Sequence, residues 1–299
     1  MNALLIFNPK SRGGNAGKRK DEILNAVKAR GIAFSFVQWQ SYSQVVEEIE
    51  CANQFDTVIA VGGDGTINSA VNGVMRNPNP QLKLGVIYAG TSPDFCQFEN
   101  IPTALTPAVD LLVHGVATPV DIMELRRNGQ SEYFCCSCNL GMGAAVASAA
   151  NRLRPYCGDT LGTASALMYN ILKNRRYEYE IENQNGEITQ IENCNHLLVT
   201  KMPYIASGIK IAADLSPSDG RYALGYLSNL SRFGWLKLVG ALYRGESVGN
   251  IELHSNRIAI RSIEPVAVEY DGDPHGILPI EIGIAEKKLP LIKNPTACR

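Results

Sequence analysis

No run in this 299-residue chain approaches the roughly 20 consecutive apolar residues that a membrane-spanning helix needs. An excess of charge of either sign is lacking too. With 28 Lys and Arg against 29 Asp and Glu, the formal net charge is -1, which argues against broad electrostatic capture of nucleic acid or of an anionic bilayer. The eight cysteines are too few and too scattered for a disulfide framework. Most stand in apolar contexts such as YFCCSCNLG, which predicts buried, reduced thiols and a cytoplasmic address. Cys135 and Cys138 have CxxC spacing, but no second pair or nearby histidine completes a metal or redox site, so both are expected in the core. The opening MNALLIFNPK lacks a basic leader region, and its apolar run is too short for a signal peptide. It is expected to be a first buried strand. Internal repeats and low-complexity segments are absent.

What is present is an ordinary globular composition, 45% hydrophobic and 19% charged, in a chain long enough for two domains. Up to about residue 115 strand and helix patterns alternate. Strands are expected at 3–7, 34–39, 57–61 and 84–89, with helices over 15–30, the SQVVEEIECA segment, 66–75 and 103–114. Such alternation predicts a parallel sheet covered on both faces. After Gly115 strand-like runs dominate: 118–127, 131–138, 176–183, 187–191, 195–202, 220–228, 255–262, 265–270 and 277–284. Asn128-Gly129 and Asn185-Gly186 are hairpin turns between such runs, and helices interrupt them near 143–153, 161–174 and 231–243. The division is therefore an α/β domain over 1–116 and a mainly antiparallel, β-rich domain over 117–285. The sequence leaves open whether the closing segment, about 286–299, returns to the first domain.

Glycine is concentrated where an apolar strand stops, in VIAVGGDGTINSAVNGV. Gly62, Gly63 and Gly65 surround a lone carboxylate, Asp64, and give up side-chain packing at an entropic cost. Ligands of open parallel sheets bind at the carboxyl ends of the strands. Three loops leave those ends: NPKSRGGNAGK, GGDGTIN and GTSPDF. Together they offer bare backbone amides, the hydroxyls of Ser11, Thr66 and Thr91, and helix N-termini, all of which suit phosphates. A Walker A loop is absent, and the glycine spacing is not that of a Rossmann fingerprint. Asp64 and Asp94 would repel phosphate unless a cation or a proton-accepting role explains them, which points to Mg²⁺ and phosphoryl transfer.

At these residues the chain resembles the diacylglycerol kinase catalytic family, in its soluble bacterial lipid kinase branch. The shared stretches run in order: NPKSRGG, GGDGTIN, GTSPDF, VDI, NLGMG, ASGIKIAADLSPSDG and YDGD. The resemblance implies an NAD kinase/diacylglycerol kinase-like first domain, a β-sandwich-like second domain and a nucleotide in the cleft between them. It places Asn8, Pro9, Lys10, Ser11 and Arg12 on the nucleotide loop. Gly62, Gly63, Asp64, Gly65, Thr66, Ile67, Asn68 and Ser69 would surround the phosphates of ATP, with Gly90, Thr91 and Asp94 nearby. It assigns a structural Mg²⁺ to Asp219 and the carbonyls of Ser216 and Arg221, with Asp121 joining that network through water. Asp273 falls where the family has a proton-accepting glutamate, and Asp271 lies two residues earlier.

Three departures stand out: DGD replaces the family's DGE, Pro93 replaces the asparagine of GTxND, and GMGAAV lacks an acidic residue common after the second glycine. The shorter Asp273 side chain matters, since a misplacement of about 1 Å can cost roughly 10²-fold in rate. The expected reaction is transfer of the ATP γ-phosphoryl group to a lipid hydroxyl, with Asp64 at the phosphates, Asp273 as base and Asp271 orienting it. An alternative gives the proton to Asp64 and leaves Asp273 structural. Two other readings stay open: an NAD kinase-like small-molecule kinase, and a lipid- or nucleotide-binding homologue without catalysis. His275 is expected to be a polar turn residue and Trp235 a core residue of RFGWLKLVGALYR. Arg152, Arg154 and NRRY (174–177) are candidates to meet lipid headgroups, and peripheral membrane contact and a homodimer are compatible with the sequence.

Overall fold

The structure is a computed structural model that describes residues 1–205, 209–244, 246 and 249–294. The chain divides into two compact units, Met1–Ile122 with the segment from Ala285 onward, and Met123–Ile205 with Ile209–Ile284.

The first unit begins β1 (Asn2–Phe7), α1 (Asn15–Lys18), α2 (Lys20–Ala29), β2 (Ala33–Gln38), α3 (Tyr42–Glu50), β3 (Thr57–Gly62) and α4 (Asp64–Arg76). It continues β4 (Lys83–Tyr88), α5 (Asp94–Phe98), α6 (Leu105–His114) and β5 (Val116–Val120). The helix expected over 15–30 is thus broken at Arg19, and α4 starts at Asp64 rather than at 66. β1 and β3 are buried along nearly their whole length, as strands covered on both faces must be, and both read as unbroken apolar runs. Close packing also demands glycine: a Cβ on Gly73 of α4 would lie 2.5 Å from Cβ of Ile49 on α3.

The second unit runs β6 (Met123–Arg127), β7 (Gln130–Phe134), β8 (Ser137–Gly141), α7 (Met142–Lys173), β9 (Tyr177–Glu182) and β10 (Ile188–Thr200). After β11 (Tyr204–Ile205), β12 (Ile209–Lys210), β13 (Tyr222–Ser228) and α8 (Arg232–Tyr243) come β14 (Asn250–His254) and β15 (Ile258–Arg261). β16 (Ala267–Tyr270), β17 (Asp273–Ile277) and β18 (Ile280–Ile284) complete it. An antiparallel sheet in the order β17-β16-β8-β10-β9-β15-β18-β6-β7, with β13 and β14 branching from β10, forms a β-sandwich-like body. Phe134, Tyr179, Tyr222 and Tyr270 sit in its core with Cys138 and Cys194, so the cysteine pattern is one of packing. Asn128 and Gly129 both take positive φ, the primed turn that joins β6 to β7.

Four expectations are revised. The helices expected at 143–153 and 161–174 are one element, α7, kinked at Gly158, where φ is 75°. The two runs at 187–191 and 195–202 are one strand with a bulge between Ile191 and Cys194. β14 and β17 were not legible as strands, because Asn250–His254 and Asp273–Ile277 carry polar residues and little apolar alternation. The run at 118–127 is two strands: β5 belongs to the first unit and β6 to the second.

The chain returns to the first unit through β19 (Leu289–Lys293), inserted between β4 and β5 to give the order β2-β1-β3-β4-β19-β5. β19 is parallel to β4 and antiparallel to β5. Buried Lys293 pairs with buried Glu99 at 2.7 Å. The Lys287 ammonium donates to the carbonyls of Val74, Met75 and Asn77 at 2.8–3.0 Å, closing the C-terminal end of α4 with positive charge.

Candidate active site

In the first unit the loops after β1, β3 and β4 gather at the carboxyl ends of the strands. Asn8 ties two of them together. Its Oδ1 accepts from the Lys10 amide at 3.0 Å and its Nδ2 donates to Thr66 Oγ1 at 2.9 Å. The Gly63 amide donates to Ser11 Oγ at 3.3 Å, and the Gly17 amide to the Pro9 carbonyl at 3.1 Å. Arg12, Gly13 and Gly14 follow one another at positive φ, so the loop folds back in a left-handed run that only the glycines adopt without strain.

Glycine at the third strand is required by contact. A Cβ on Gly62 would stand 2.4 Å from Thr66 Oγ1, and one on Gly90 would stand 2.5 Å from Gly63 Cα. At Gly65, by contrast, a Cβ would meet nothing within 4 Å. The backbone therefore crosses itself at Gly63 and Gly90 and is open at Gly65, in the first turn of α4. Asp64 is the first residue of α4. Burial, and then the charge of Asp64, raise the Tyr88 hydroxyl and the Cys96 thiol well above their ordinary ranges, and Asp94 adds to the effect on Tyr88. Both carboxylates thus act on one strand end, a field that favours a cation there.

The other expected residues take supporting places. Ile67, Asn68 and Ser69 are buried, and Ser69 Oγ donates to the Thr66 carbonyl at 2.8 Å, so this part of α4 backs the loop rather than facing outward. Thr91 is exposed, and Asp94 opens α5 with Oδ2 accepting from Ser92 Oγ at 3.0 Å. Pro93 is the residue before α5, where its missing amide is not needed and its carbonyl accepts from Gln97 at 2.8 Å.

In the second unit Asp271 and Gly272 are the two central residues of the β16–β17 hairpin, with φ of 51° and 94°, and Tyr270 pairs with Asp273 across it. The Asp271 carboxylate accepts from the amides of Cys135, Cys136 and Ser137 at 2.8, 2.9 and 3.3 Å. Burial lifts its carboxyl to about 6 against those three bonds. Its oxygens are committed to backbone, so Asp271 anchors the turn that carries Asp273. Asp273 follows it, exposed.

Sequence reasoning missed Glu269. It is 4% exposed, accepts from Asn139 Nδ2 and from the Gly272 amide, both at 2.6 Å, and braces the same turn from beneath. Burial pushes its carboxyl up to about 7, with Asp271 and Asp273 adding to the rise. The available signal was a charge between Val268 and Tyr270 in an otherwise apolar run. Asn151 of α7 donates to the Gly272 carbonyl at 3.0 Å. His275 stacks on Tyr270 with ring centroids 3.5 Å apart, and burial lowers it to about 4, so it is a packed, neutral ring.

Asp219, Ser216 and Arg221 do converge on one point, but an ammonium already stands there. Lys201 Nζ donates to the Ser216 carbonyl at 2.7 Å, Asp219 Oδ1 at 2.5 Å and the Arg221 carbonyl at 2.8 Å. The oxygens that the resemblance assigns to a structural Mg²⁺ thus accept from an internal cation. Asp121, in the first unit, is buried and paired with Lys288.

Trp235 is a core residue that packs with Met142, Ile171 and Leu238, and its indole N–H donates to Asn174 Oδ1 at 3.1 Å. Arg152, Arg175 and Arg176 are exposed, while the Arg154 side chain lies outside those described. A cavity of about 240 Å³ in the second unit, lined by Ile181, Leu224, Tyr226 and Glu252 among others, contains none of the candidate residues.

Residues 2–125 match the diacylglycerol kinase catalytic domain, and residues 136–293 match the YegS C-terminal NAD kinase beta sandwich-like domain. The diacylglycerol kinase of Bacillus subtilis is 30% identical over 288 residues, covering 93% of this chain and 92% of that protein. That of Staphylococcus carnosus is 27% identical over 293 residues, covering 93% and 90%. A crystal structure of a diacylglycerol kinase from Bacillus anthracis shares the fold, with a TM-score of 0.77, 21% identity and coverage of 98% and 97%. These likenesses define a kinase with an α/β catalytic domain and a β-sandwich-like partner domain. The chain belongs to the diacylglycerol kinase family and is similar to its bacterial members.

Proposed function

We propose that the protein transfers the γ-phosphoryl group of ATP to the hydroxyl of a diacylglycerol-like lipid. The observation that carries the reading is the crossing of the Gly63 and Gly90 backbones beside the hydroxyls of Ser11 and Thr66 and the N-terminus of α4. Such a loop can approach a triphosphate closely, and phosphoryl transfer asks a protein mainly for alignment and charge neutralisation. A divalent cation arriving with the nucleotide would supply that neutralisation, and Asp64, with Asp94 behind it, is the carboxylate that would hold it. The lipid hydroxyl oxygen attacks the γ-phosphorus, the bond to the bridging oxygen of ADP breaks, and a carboxylate takes the hydroxyl proton.

We assign that proton to Asp273, since Asp271 is bound to three amides and Glu269 is enclosed. Among the described residues no helix is long and apolar enough to cross a membrane. Tyr156, Leu161, Met168, Tyr169 and Leu172 of α7 are exposed apolar residues next to exposed Lys173, Arg175 and Arg176, a combination suited to peripheral contact with a bilayer. A homodimer is the competing occupant of that face. Co-sedimentation with vesicles against molar mass in solution separates the two.

The test is incubation with γ-labelled ATP, Mg²⁺ and a panel of diacylglycerol, phosphatidylglycerol, ceramide, sphingoid bases and NAD. Label in an organic-soluble product is expected. Label in NADP, or nucleotide binding without turnover on any lipid, would contradict the proposal.

A further inference from the structure

We infer that the Lys201 ammonium does in this chain what the resemblance assigns to a structural Mg²⁺, so that the second unit carries its own cation and takes no divalent ion there. An ammonium has three N–H donors, and three oxygens converge on this one at 2.5–2.8 Å, from Ser216, Asp219 and Arg221. The two carbonyl contacts have the lengths of charge-assisted hydrogen bonds, and the one to the carboxylate is shorter still. Mg²⁺ needs near-octahedral oxygen coordination, whereas the converging oxygens number three and match the three donors of an ammonium.

The second carboxylate oxygen is engaged as well. Asp219 Oδ2 accepts from the Ser216 amide at 3.0 Å and from the Arg221 guanidinium at 3.1 Å. The Arg221 amide adds a further bond, to Oδ1 at 3.0 Å. Lys201 itself is 2% exposed. A metal could enter only by displacing the ammonium, which would then be buried without its partner, a state that costs several kcal/mol. Among the described residues no group of three or more His, Cys, Asp and Glu is placed to hold a metal ion.

The position also gives the cage a task. Lys201 directly follows β10, whose last residue, Thr200, donates from Oγ1 to the Cys136 carbonyl at 2.9 Å. The Cys136 amide in turn donates to Asp271. The internal cation therefore fixes the loop through Ser216 and Arg221 to the strand end that holds the Asp271–Asp273 turn. A metal in its place would make that support depend on the divalent-ion concentration. The lysine removes the dependence.

Thermal unfolding of the full chain without nucleotide tests this, in excess EDTA and in MgCl₂. The wild-type melting temperature is expected to agree between the two within about 1 °C. Lys201→Met and Asp219→Asn are each expected to lower it by about 5–10 °C, because each leaves a buried group without its charge partner. The double variant is expected to lose clearly less than the sum of the two. If Lys201→Met does not fold, Asp219→Asn against the double variant reads the same coupling, since the double variant should then be the more stable. A wild-type melting temperature that falls in EDTA, with Asp219→Asn removing the sensitivity, would overturn the inference. So would strictly additive losses.

Discussion

The first unit and the second unit use carboxylates in opposite ways. In the first, Asp64 stands at the start of a helix, next to loops that Asn8, Ser11 and Thr66 tie together. In the second, Asp219 is satisfied by Lys201 and Asp271 by three consecutive amides, so their charge serves the fold. The lesson is that an aspartate next to glycine in sequence has two distinct meanings. GGDG lets the backbone of one loop approach that of another, while the Asp271-Gly272 pair is a hairpin turn whose carboxylate is tied down from within.

Substitutions can break this contrast, and the largest effect is expected at the glycine crossing. Gly90→Val places side-chain atoms against the backbone of Gly63, which has no flexible end to move aside. A loss of about 5–10 °C in melting temperature and at least about tenfold in nucleotide affinity is expected. Gly65→Ala, built into open space, is expected to shift the melting temperature by no more than about 1 °C. Equal losses from both would mean that the loop is merely tight. In the second unit Asp271→Ala strips three amides of their acceptor, and a fall of about 4–8 °C by calorimetry is expected. Asp271→Asn keeps one acceptor oxygen and should lose less.

Glu269 gives a smaller, pH-dependent effect. Its folded value of about 7 lies above the ordinary range near 4.3, so between those limits the folded protein holds a proton that the unfolded chain has released. Its contribution to stability is full below the ordinary value and is lost as the pH rises through about 7. Glu269→Gln should therefore melt about 2–4 °C above wild type at alkaline pH, with the difference fading under acid conditions. Burial lowers His196 and His275 to about 4, and they act in the opposite sense, so the comparison must be between the two proteins at each pH. Smallest is Lys287→Met at the C-terminal end of α4, where loss of a cation from three carbonyls is expected to cost about 1–2 kcal/mol by chemical denaturation.

Much of the first unit was legible in the sequence because its strands are buried on both faces and its loops are punctuated by glycine. Gly62, Gly63 and Gly90 could be flagged from spacing, although the reason, a backbone crossing, could not. The second unit was harder to read. β17 carries Asp273, Pro274 and His275 and has no apolar face, so its existence depends on pairing with β16. Lys201 and Glu269 were missed because a lone charge in an apolar strand reads as noise until its partners, Asp219 at 18 residues' distance and Asn139 at 130, are brought to it by the fold. Ser216, Asp219 and Arg221 do lie together, and the ammonium at their centre comes from another part of the chain.

In the proposed reaction Asp64 handles the nucleotide and Asp273 takes the acceptor's proton. Calorimetric binding of ATP with Mg²⁺, combined with single-turnover rates on a diacylglycerol substrate, for Asp64→Asn and Asp273→Asn tests this most directly. Asp64→Asn is expected to weaken nucleotide binding at least about tenfold, while Asp273→Asn binds within about twofold of wild type and transfers about 10²–10⁴-fold more slowly. Near wild-type transfer by Asp273→Asn, or unimpaired nucleotide binding by Asp64→Asn, would contradict it.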